Sequence, residues 1–205
     1  MSIVIVDYGM GNLHSVYNAF KRLNIPVVVS GDPKTIMDAD KLILPGVGHF
    51  KKGMENLRAS SIKEALDKKV MEEKVPILGI CLGMQLFSKH SEEGNEPGLG
   101  WIDANTVRFN FTNSASVLKI PHMGWNNITI VHNYPIMDGV NLDDKYYFVH
   151  SYHVKCNDIN DVLCTTQYGI AFTSAVQKAN IIGMQFHPEK SHKAGLKILQ
   201  NFIRL

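Results

Sequence analysis

The alternation of short apolar runs with amphipathic stretches in the first half of the chain limits the possible folds most strongly. Apolar runs rich in aliphatic residues occupy positions 3–7, 27–29, 41–44 and 76–80. Stretches with helical spacing or helix-like composition lie between or after them, at 12–23, 55–73 and 83–90. Strands that alternate with helices form a parallel sheet with right-handed crossovers and helices on both faces. The sequence therefore predicts an α/β fold with a mostly parallel central sheet and flanking helices.

The second half of the chain has a different pattern. Short strand-like segments separated by turn residues lie at 104–109, 128–131, 146–149, 162–166 and 172–176. They indicate a smaller antiparallel layer attached to the parallel core. Positions 181–186 predict another core strand, and positions 194–205 predict a closing helix. Since no repeat, low-complexity tract or linker interrupts the chain, we expect a single domain over residues 1–205.

Charge and cysteine content exclude several classes of protein. The 205 residues carry a formal net charge of +2, and no long basic or acidic run is present, so we expect no nucleic-acid partner and no membrane partner. The first residues lack the charged region and cleavage site of a signal peptide, and no apolar stretch approaches the roughly 20 residues of a membrane span. Three cysteines fit no zinc spacing. We therefore expect free thiols, no metal and a cytoplasmic location.

A nucleophile is predicted where the apolar run 76–80 leads into Gly79-Ile80-Cys81-Leu82-Gly83. This is the cysteine form of the Gly-x-Ser-x-Gly elbow, in which a tight strand-to-helix turn exposes the nucleophile at the end of a strand. Glycines on either side leave room for the turn, and the following helix begins behind the thiol. The alternative is a buried structural cysteine. Cys156, in a predicted polar loop, and Cys164, in an apolar strand, lack this context and are expected to be inert.

A thiol nucleophile needs a base, and the base needs a partner that orients it. His187 ends the predicted strand 181–186, Pro188 follows it, and Glu189 lies two residues on, where it can accept a hydrogen bond from the imidazole. A surface loop is the alternative for an isolated His-Pro-Glu segment. The rival histidines are His122, His150 and His153, and neither His122 nor His150 has a carboxylate within a few residues.

Two further segments predict an anion site and a pocket for an amino acid. The strand 41–44 leads into Pro45-Gly46-Val47-Gly48, whose backbone N–H groups can face a ligand without side-chain obstruction. We expect Gly46, Val47 and Gly48 to form one side of an oxyanion hole, with the Leu82 N–H as the other donor. A plain loop is the alternative. Gln85 and the pair Glu92-Glu93 follow the elbow, where a carboxylate would suit a substrate ammonium group, although such a pair is more often a solvated helix end.

Taken together, three segments resemble the class I (triad) glutamine amidotransferases. They are Pro45–Gly48, Gly79–Gln85 and His187–Glu189, which occur in the family's order. The resemblance implies a catalytic triad of Cys81, His187 and Glu189, and it implies no metal or organic cofactor.

Over essentially the whole chain, the sequence is most similar to the glutaminase subunits of imidazole glycerol phosphate synthase. The segments that carry this similarity are Asp7–Asn12, Pro121–Asn126, Tyr147–Tyr152 and His187–Ser191. The similarity implies that the glutaminase is nearly idle until a (β/α)8-barrel synthase binds as a heterodimer, and that ammonia passes through that barrel. It also implies that Gln85 and Glu93 hold the amino-acid end of glutamine, with Ser151 and Tyr152 near the carboxylate. The residues implied to face the partner are Asn12, Trp125 and Lys190.

Three other functions remain open. A paralogue of the same glutaminase can feed a different synthase, such as one that aminates a sugar nucleotide for surface polysaccharide. A stand-alone hydrolase on the same scaffold should be active without a partner. A catalytically inactive binding module is disfavoured by the intact Cys81, His187 and Glu189.

Overall fold

The computed structural model describes residues 1–112, 118–141 and 143–205. The strands are β1 Ile3–Val6, β2 Val28–Ser30, β3 Lys41–Gly46, β4 Ile77–Cys81, β5 His90–Ser91, β6 Glu96–Pro97, β7 Ala104–Arg108, β8 His122–Asn127, β9 Thr129–Ile130, β10 Lys145–His150, β11 Tyr152–Cys156, β12 Val162–Tyr168, β13 Ile170–Lys178 and β14 Ile181–Met184. The α-helices are α1 Leu13–Arg22, α2 Pro33–Met37, α3 Phe50–Ala59, α4 Ile62–Asp67, α5 Leu82–Gln85 and α6 His192–Arg204, and a π-helical segment, Lys68–Glu72, continues α4.

The large sheet has a parallel half and an antiparallel half. Its parallel part has the order β2-β1-β3-β4-β14, and β13 then pairs antiparallel with β14 and leads to β11 and β7. A separate antiparallel ribbon joins β8 to β10. The prediction of an α/β fold with a parallel core and a smaller antiparallel layer is confirmed. The single domain over residues 1–205 stays a prediction.

Strand β1 illustrates why the parallel half forms. All four of its residues are buried, and they alternate between two hydrophobic clusters: Ile3 and Ile5 belong to the cluster that contains α1 and α6, whereas Val4 and Val6 belong to the cluster that contains α3 and α4. A strand buried on both faces needs apolar residues at every position, which is the pattern of the β-branched run. Helices therefore cover both faces of the parallel part of the sheet.

Several elements differ from the sequence prediction. Strands β8 and β11 were not predicted, and Cys156 ends β11 instead of lying in a loop. Helix α5 ends at Gln85, so it is much shorter than the stretch 83–90 suggested. No helix in the described ranges combines the length and the apolar character that crossing a bilayer requires.

Candidate active site

Three chain segments meet at the carboxyl edge of the parallel sheet. β3 and β4 are paired so that Gly46 lies beside Cys81, and β14 lies on the other side of β4, with Met184 beside Ile80. His187 follows the end of β14 by three residues. Ligands of open α/β sheets bind at this edge. The fold thus brings the predicted nucleophile, base and anion-binding turn to one place.

The backbone of Cys81 is strained as expected of an elbow nucleophile. Its φ is 55° and its ψ is −108°, a combination that costs a non-glycine residue about 1–3 kcal/mol. The flanking glycines permit the turn. A Cβ on Gly83 would overlap the Leu44 carbonyl oxygen, and a Cβ on Gly79 would lie 2.6 Å from the Phe87 ring. Cys81 is the N-cap residue of α5, but its side chain makes no cap hydrogen bond, and a helix of four residues contributes little macrodipole.

His187 and Glu189 form a buried pair. The Nδ1 atom of His187 lies 2.8 Å from Oε1 of Glu189, and each side chain is 2% exposed. The carboxylate accepts the hydrogen bond, so the proton lies on Nδ1 and the Nε2 atom is the one free to exchange a proton with a nucleophile. Nε2 makes no hydrogen bond of good geometry to any described residue. This pair has the arrangement of a base and its orienting carboxylate.

The electrostatic environment favours the protonated form of His187. Burial alone would lower the pKa of His187, but the negative charge of Cys81, together with hydrogen bonding and the charge of Glu189, raises that pKa to about 10. In contrast, burial raises the pKa of Cys156 and of Cys164 to about 12. Cys81 lies beside His187, whereas burial disfavours the thiolate forms of Cys156 and Cys164. This difference favours the expected inertness of those two thiols.

A pocket of about 320 Å³ opens in front of Cys81. Its lining includes the expected Val47, Gly48, Leu82, Gln85, Glu93, Ser151 and Tyr152, as well as Pro121, Val149 and His150, which the sequence analysis had not assigned to the site. Gly46 does not line the pocket, because it lies in β3 behind the turn. The size of the pocket, and the polar side chains of Gln85, Glu93 and Ser151 on its wall, suit a small molecule with polar groups.

The turn after β3 offers backbone donors. Neither the Val47 N–H nor the Gly48 N–H donates a hydrogen bond to another described residue, and Gly48 has a φ of 111°, which only glycine adopts readily. As the first residue of α5, Leu82 has an N–H without an acceptor inside the helix. These groups border the pocket from two sides, which is the arrangement that an oxyanion hole requires.

Tyr8 explains why position 46 is glycine. Its hydroxyl occupies the space that a Cβ on Gly46 would need, and it is buried without a hydrogen-bond partner among the described residues. Burial, and then the charge of Cys81, raises the pKa of Tyr8, so the phenol keeps its proton. Sequence analysis had not assigned Tyr8 to the site.

Gln85 and Glu93 each form a hydrogen bond within the protein through one side-chain atom and leave a side-chain oxygen at the pocket. The Gln85 amide donates to the Tyr152 carbonyl at 2.9 Å, while its Oε1 has no partner among the described residues. Glu93 Oε2 accepts from the Phe50 N–H at 2.8 Å at the start of α3, and Oε1 is similarly free within the described part of the chain. Two acceptor oxygens thus remain at the wall of the pocket. Glu92 instead accepts from the Arg108 N–H, outside the pocket.

Comparisons with protein families and with individual proteins identify the family of this chain. The family model described as glutamine amidotransferase class-I matches residues 4–205. The chain belongs to the class-I glutamine amidotransferase family. The imidazole glycerol phosphate synthase subunit HisH 2 of Methanococcus maripaludis is 50% identical, with 98% of each chain covered. The subunit HisH 2 of Pseudomonas aeruginosa is 46% identical, with 99% of each chain covered. Within the family, the chain therefore belongs with the HisH subunits.

A solved structure of a glutamine amidotransferase has the same fold. It superposes with a TM-score of 0.77 at 18% identity and covers 100% of this chain and 98% of its own. Family membership makes the chain a glutamine amidotransferase, that is, an enzyme.

The three residues expected to face a partner lie on this amidotransferase's surface or close to it. Trp125 is 46% exposed, and its ring stacks on that of His192 at 5.0 Å. Lys190 Nζ lies 5.7 Å from the centroid of the Tyr147 ring, which also contacts Trp125. Asn12 caps α1 by accepting from the Ser15 N–H at 3.1 Å, and α1 packs against the 3-10 turn that contains Lys190. These residues therefore lie on neighbouring elements.

Sequence reasoning missed a buried polar side chain that contacts Cys81. The Gln185 Nε2 lies 3.7 Å from the Cys81 sulfur, and Gln185 is completely buried. Its only signal in the sequence was a polar residue in an otherwise apolar core strand, two positions before His187. A polar residue in such a run must find hydrogen-bond partners in the protein interior.

Proposed function

We propose that this enzyme hydrolyses glutamine to glutamate and ammonia, with Cys81 as the nucleophile, His187 as the base and Glu189 as the group that orients the base. The observation that carries the proposal is the pairing of a strained, pocket-facing Cys81 with a His187 whose Nδ1 is held by Glu189. This arrangement leaves Nε2 available for proton transfer, as covalent catalysis by a thiol requires.

The chemistry follows in two stages. The Cys81 thiolate attacks the side-chain amide carbon of glutamine, and the Val47, Gly48 and Leu82 N–H groups stabilise the oxyanion, each such donor being worth about 3–4 kcal/mol. His187 then gives its proton to the departing ammonia as the C–N bond breaks, which leaves a γ-glutamyl thioester. Next, His187 takes a proton from water, the hydroxide attacks the thioester, and the C–S bond breaks to release glutamate. No metal or organic cofactor enters either stage.

The pocket walls support recognition of a free amino acid. The oxygens of Gln85 and Glu93 that lack a partner among the described residues can accept hydrogen bonds from the substrate ammonium group. Ser151 and Tyr152 also line the pocket, and we propose that they face the substrate carboxylate. Glutamine presents both groups beyond its reacting amide.

For the acceptor, we propose a (β/α)8-barrel synthase subunit that receives the ammonia and makes imidazole glycerol phosphate and AICAR in histidine biosynthesis. The names of the HisH relatives support this acceptor. In that heterodimer, Asn12, Trp125 and Lys190 would lie toward the barrel.

A second candidate function keeps the same glutamine chemistry and changes only the molecule that receives the ammonia. Both relatives carry the numeral 2 in their names, which favours the presence of a further such subunit in each organism. A paralogue could keep the same triad and feed another synthase, such as a sugar-nucleotide amidotransferase.

The test of the chemistry is glutamine hydrolysis by the purified enzyme with and without a candidate (β/α)8-barrel synthase subunit. Cys81→Ala should abolish hydrolysis, whereas Cys156→Ala, the matched change at a thiol expected to be inert, should leave it unchanged. Hydrolysis by Cys81→Ala at the wild-type rate would end the proposal. High activity without any partner would favour a stand-alone hydrolase.

The acceptor is tested separately. Expression of the chain should restore growth without histidine to a strain that lacks its own HisH subunit. Failure to restore growth, together with partner-dependent glutamine hydrolysis, would favour the paralogue with another acceptor.

A further inference from the structure

Two of the polar contacts that the Cys81 sulfur makes with described residues respond differently to ionisation. The thiol points at the Val149 carbonyl oxygen at 4.0 Å, and the Gln185 Nε2 donates toward the sulfur at 3.7 Å. When the thiol loses its proton, the first contact loses its donor. The second remains and becomes stronger, because its acceptor now carries a charge. The Gln185 contact therefore favours the reactive form of Cys81.

The orientation of the Gln185 amide follows from the chain of partners behind it. A backbone carbonyl can only accept, so the Gln85 atom that lies 2.9 Å from the Tyr152 oxygen must be Nε2. The same Nε2 lies 3.0 Å from the second side-chain amide, and that neighbouring atom must be the acceptor, Oε1 of Gln185. The other end of Gln185, which faces Cys81, is thus the NH₂ group.

Burial makes this arrangement hard to reverse. Gln185 is 0% exposed and Gln85 is 5% exposed, so water cannot easily replace a lost partner. Flipping the Gln185 amide would place Nε2 against the donating Gln85 and Oε1 against the sulfur. Both amide ends of Gln185 would then face groups of the wrong polarity, which is unfavourable in the absence of water. The Tyr152 carbonyl therefore fixes Gln85, and Gln85 fixes Gln185.

We propose that Gln185 is a positioning residue of the hydrolysis, which supports the Cys81 thiolate with an N–H whose direction Gln85 sets. The inference rests on the proposed function of Cys81 as the nucleophile. It also gives Gln85 a second task beside contact with the substrate, because the same side chain lines the pocket and holds Gln185.

The test measures alkylation of Cys81 by iodoacetamide in the whole chain, with the modified peptide quantified by mass spectrometry. Iodoacetamide needs no glutamine site, so the rate reports the thiolate itself. Gln185→Met keeps the size of the side chain without the donor, and Gln185→Glu replaces the donor with a carboxylate. At pH 7, we expect about tenfold slower alkylation in Gln185→Met, equivalent to about 1.4 kcal/mol, and a larger loss in Gln185→Glu. Gln167→Glu, an exposed matched change, should match the wild type.

A pH series separates support of the thiolate from simple damage to packing. The deficit of Gln185→Met should shrink as the pH is raised, because the thiol then ionises without help. Wild-type rates in both variants, or a deficit that stays constant with pH, would overturn the proposal. If these variants do not fold, Gln85→Met provides the same test through the orienting group. It should slow alkylation about threefold, and a wild-type rate there would equally count against the inference.

The two proposals fail in different ways. If the wild-type enzyme with its partner does not hydrolyse glutamine, the proposed function fails, even where Gln185→Met still slows alkylation. If hydrolysis depends on Cys81 while alkylation is indifferent to Gln185 and Gln85, only the positioning role fails.

Discussion

A pair of buried histidines makes the stability of the fold sensitive to mild acid. His122 is 3% exposed and His150 is 6% exposed, and Nδ1 of the first lies 3.2 Å from Nε2 of the second. The Nδ1 of His150 lies 2.8 Å from the Tyr152 carbonyl, so that nitrogen carries a proton, and Nε2 accepts from His122. Both rings are neutral in this arrangement.

The size of the effect follows from the pKa values. Burial lowers the pKa of His122 to about 4 and that of His150 to about 3, against about 6.5 in an unfolded chain. Below pH 6.5 the unfolded chain binds more protons than the folded protein, so the free energy of unfolding falls as the pH falls. Between pH 7 and pH 5, each histidine removes about 2 kcal/mol, and the pair removes about 4 kcal/mol.

Two other histidines modify this slope. Burial lowers the pKa of His153, which therefore adds to the loss. His187 acts in the opposite direction, because its pKa is raised to about 10. Its stabilising contribution is complete below its unfolded pKa and is lost as the pH rises toward its folded pKa, so it opposes part of the loss between pH 7 and pH 5.

Comparison with a variant that lacks the pair isolates its contribution. Urea unfolding followed by circular dichroism at pH 7, 6 and 5 should show that the wild type loses about 4 kcal/mol more than His122→Asn/His150→Asn, in which His153 and His187 still titrate. Equal losses in the two proteins would refute the argument that these histidines are buried in their neutral forms.

Two further predictions concern single side chains. Tyr8→Phe removes a buried hydroxyl that has no partner among the described residues, so urea unfolding should give a free energy about 1 kcal/mol higher than wild type; a lower value would mean that the hydroxyl is satisfied in solution. Asn12→Ala removes the cap of α1 and should cost about 1 kcal/mol, whereas Asn12→Ser should keep most of the stability. If Asn12 also docks the partner, both variants should weaken heterodimer formation in a titration, and wild-type affinity in Asn12→Ser would limit its role to capping.

The parallel half of the fold was predictable because its strands are buried on both faces. β1, β3, β4 and β14 are apolar at nearly every position, which makes them visible as continuous runs. β8 was not predictable in the same way. Only His122 of its six residues is buried, and its register with β10 depends on pairing partners 18 to 28 residues away. Such a strand is defined by tertiary contacts and not by its own composition.

The residues of the candidate site also differ in how far the sequence predicts their roles. Cys81 and His187 could be predicted because Cys81 ends β4 and His187 lies shortly after β14, and adjacent parallel strands bring those ends together. Gln185 and Tyr8 could not, because their significance depends on which atoms they meet across the fold. The short length of α5 could not be predicted either, because the helical spacing of the sequence continues past Gln85, where the helix ends.

Strand β10 runs from the exposed surface around Trp125 to the pocket. Its residues Val149 and His150 form part of the pocket wall, while Tyr147 packs against Trp125 on the surface. The Tyr147 carbonyl accepts from the His187 N–H at 2.9 Å, and the Lys190 N–H donates to the His187 carbonyl at 3.0 Å. Tyr147 and Lys190 are therefore each one backbone hydrogen bond from His187, the proposed base. Under the proposed function, a change of ammonia acceptor would alter exposed side chains on this surface without altering the proposed triad, so the triad identifies the chemistry more sharply than the acceptor.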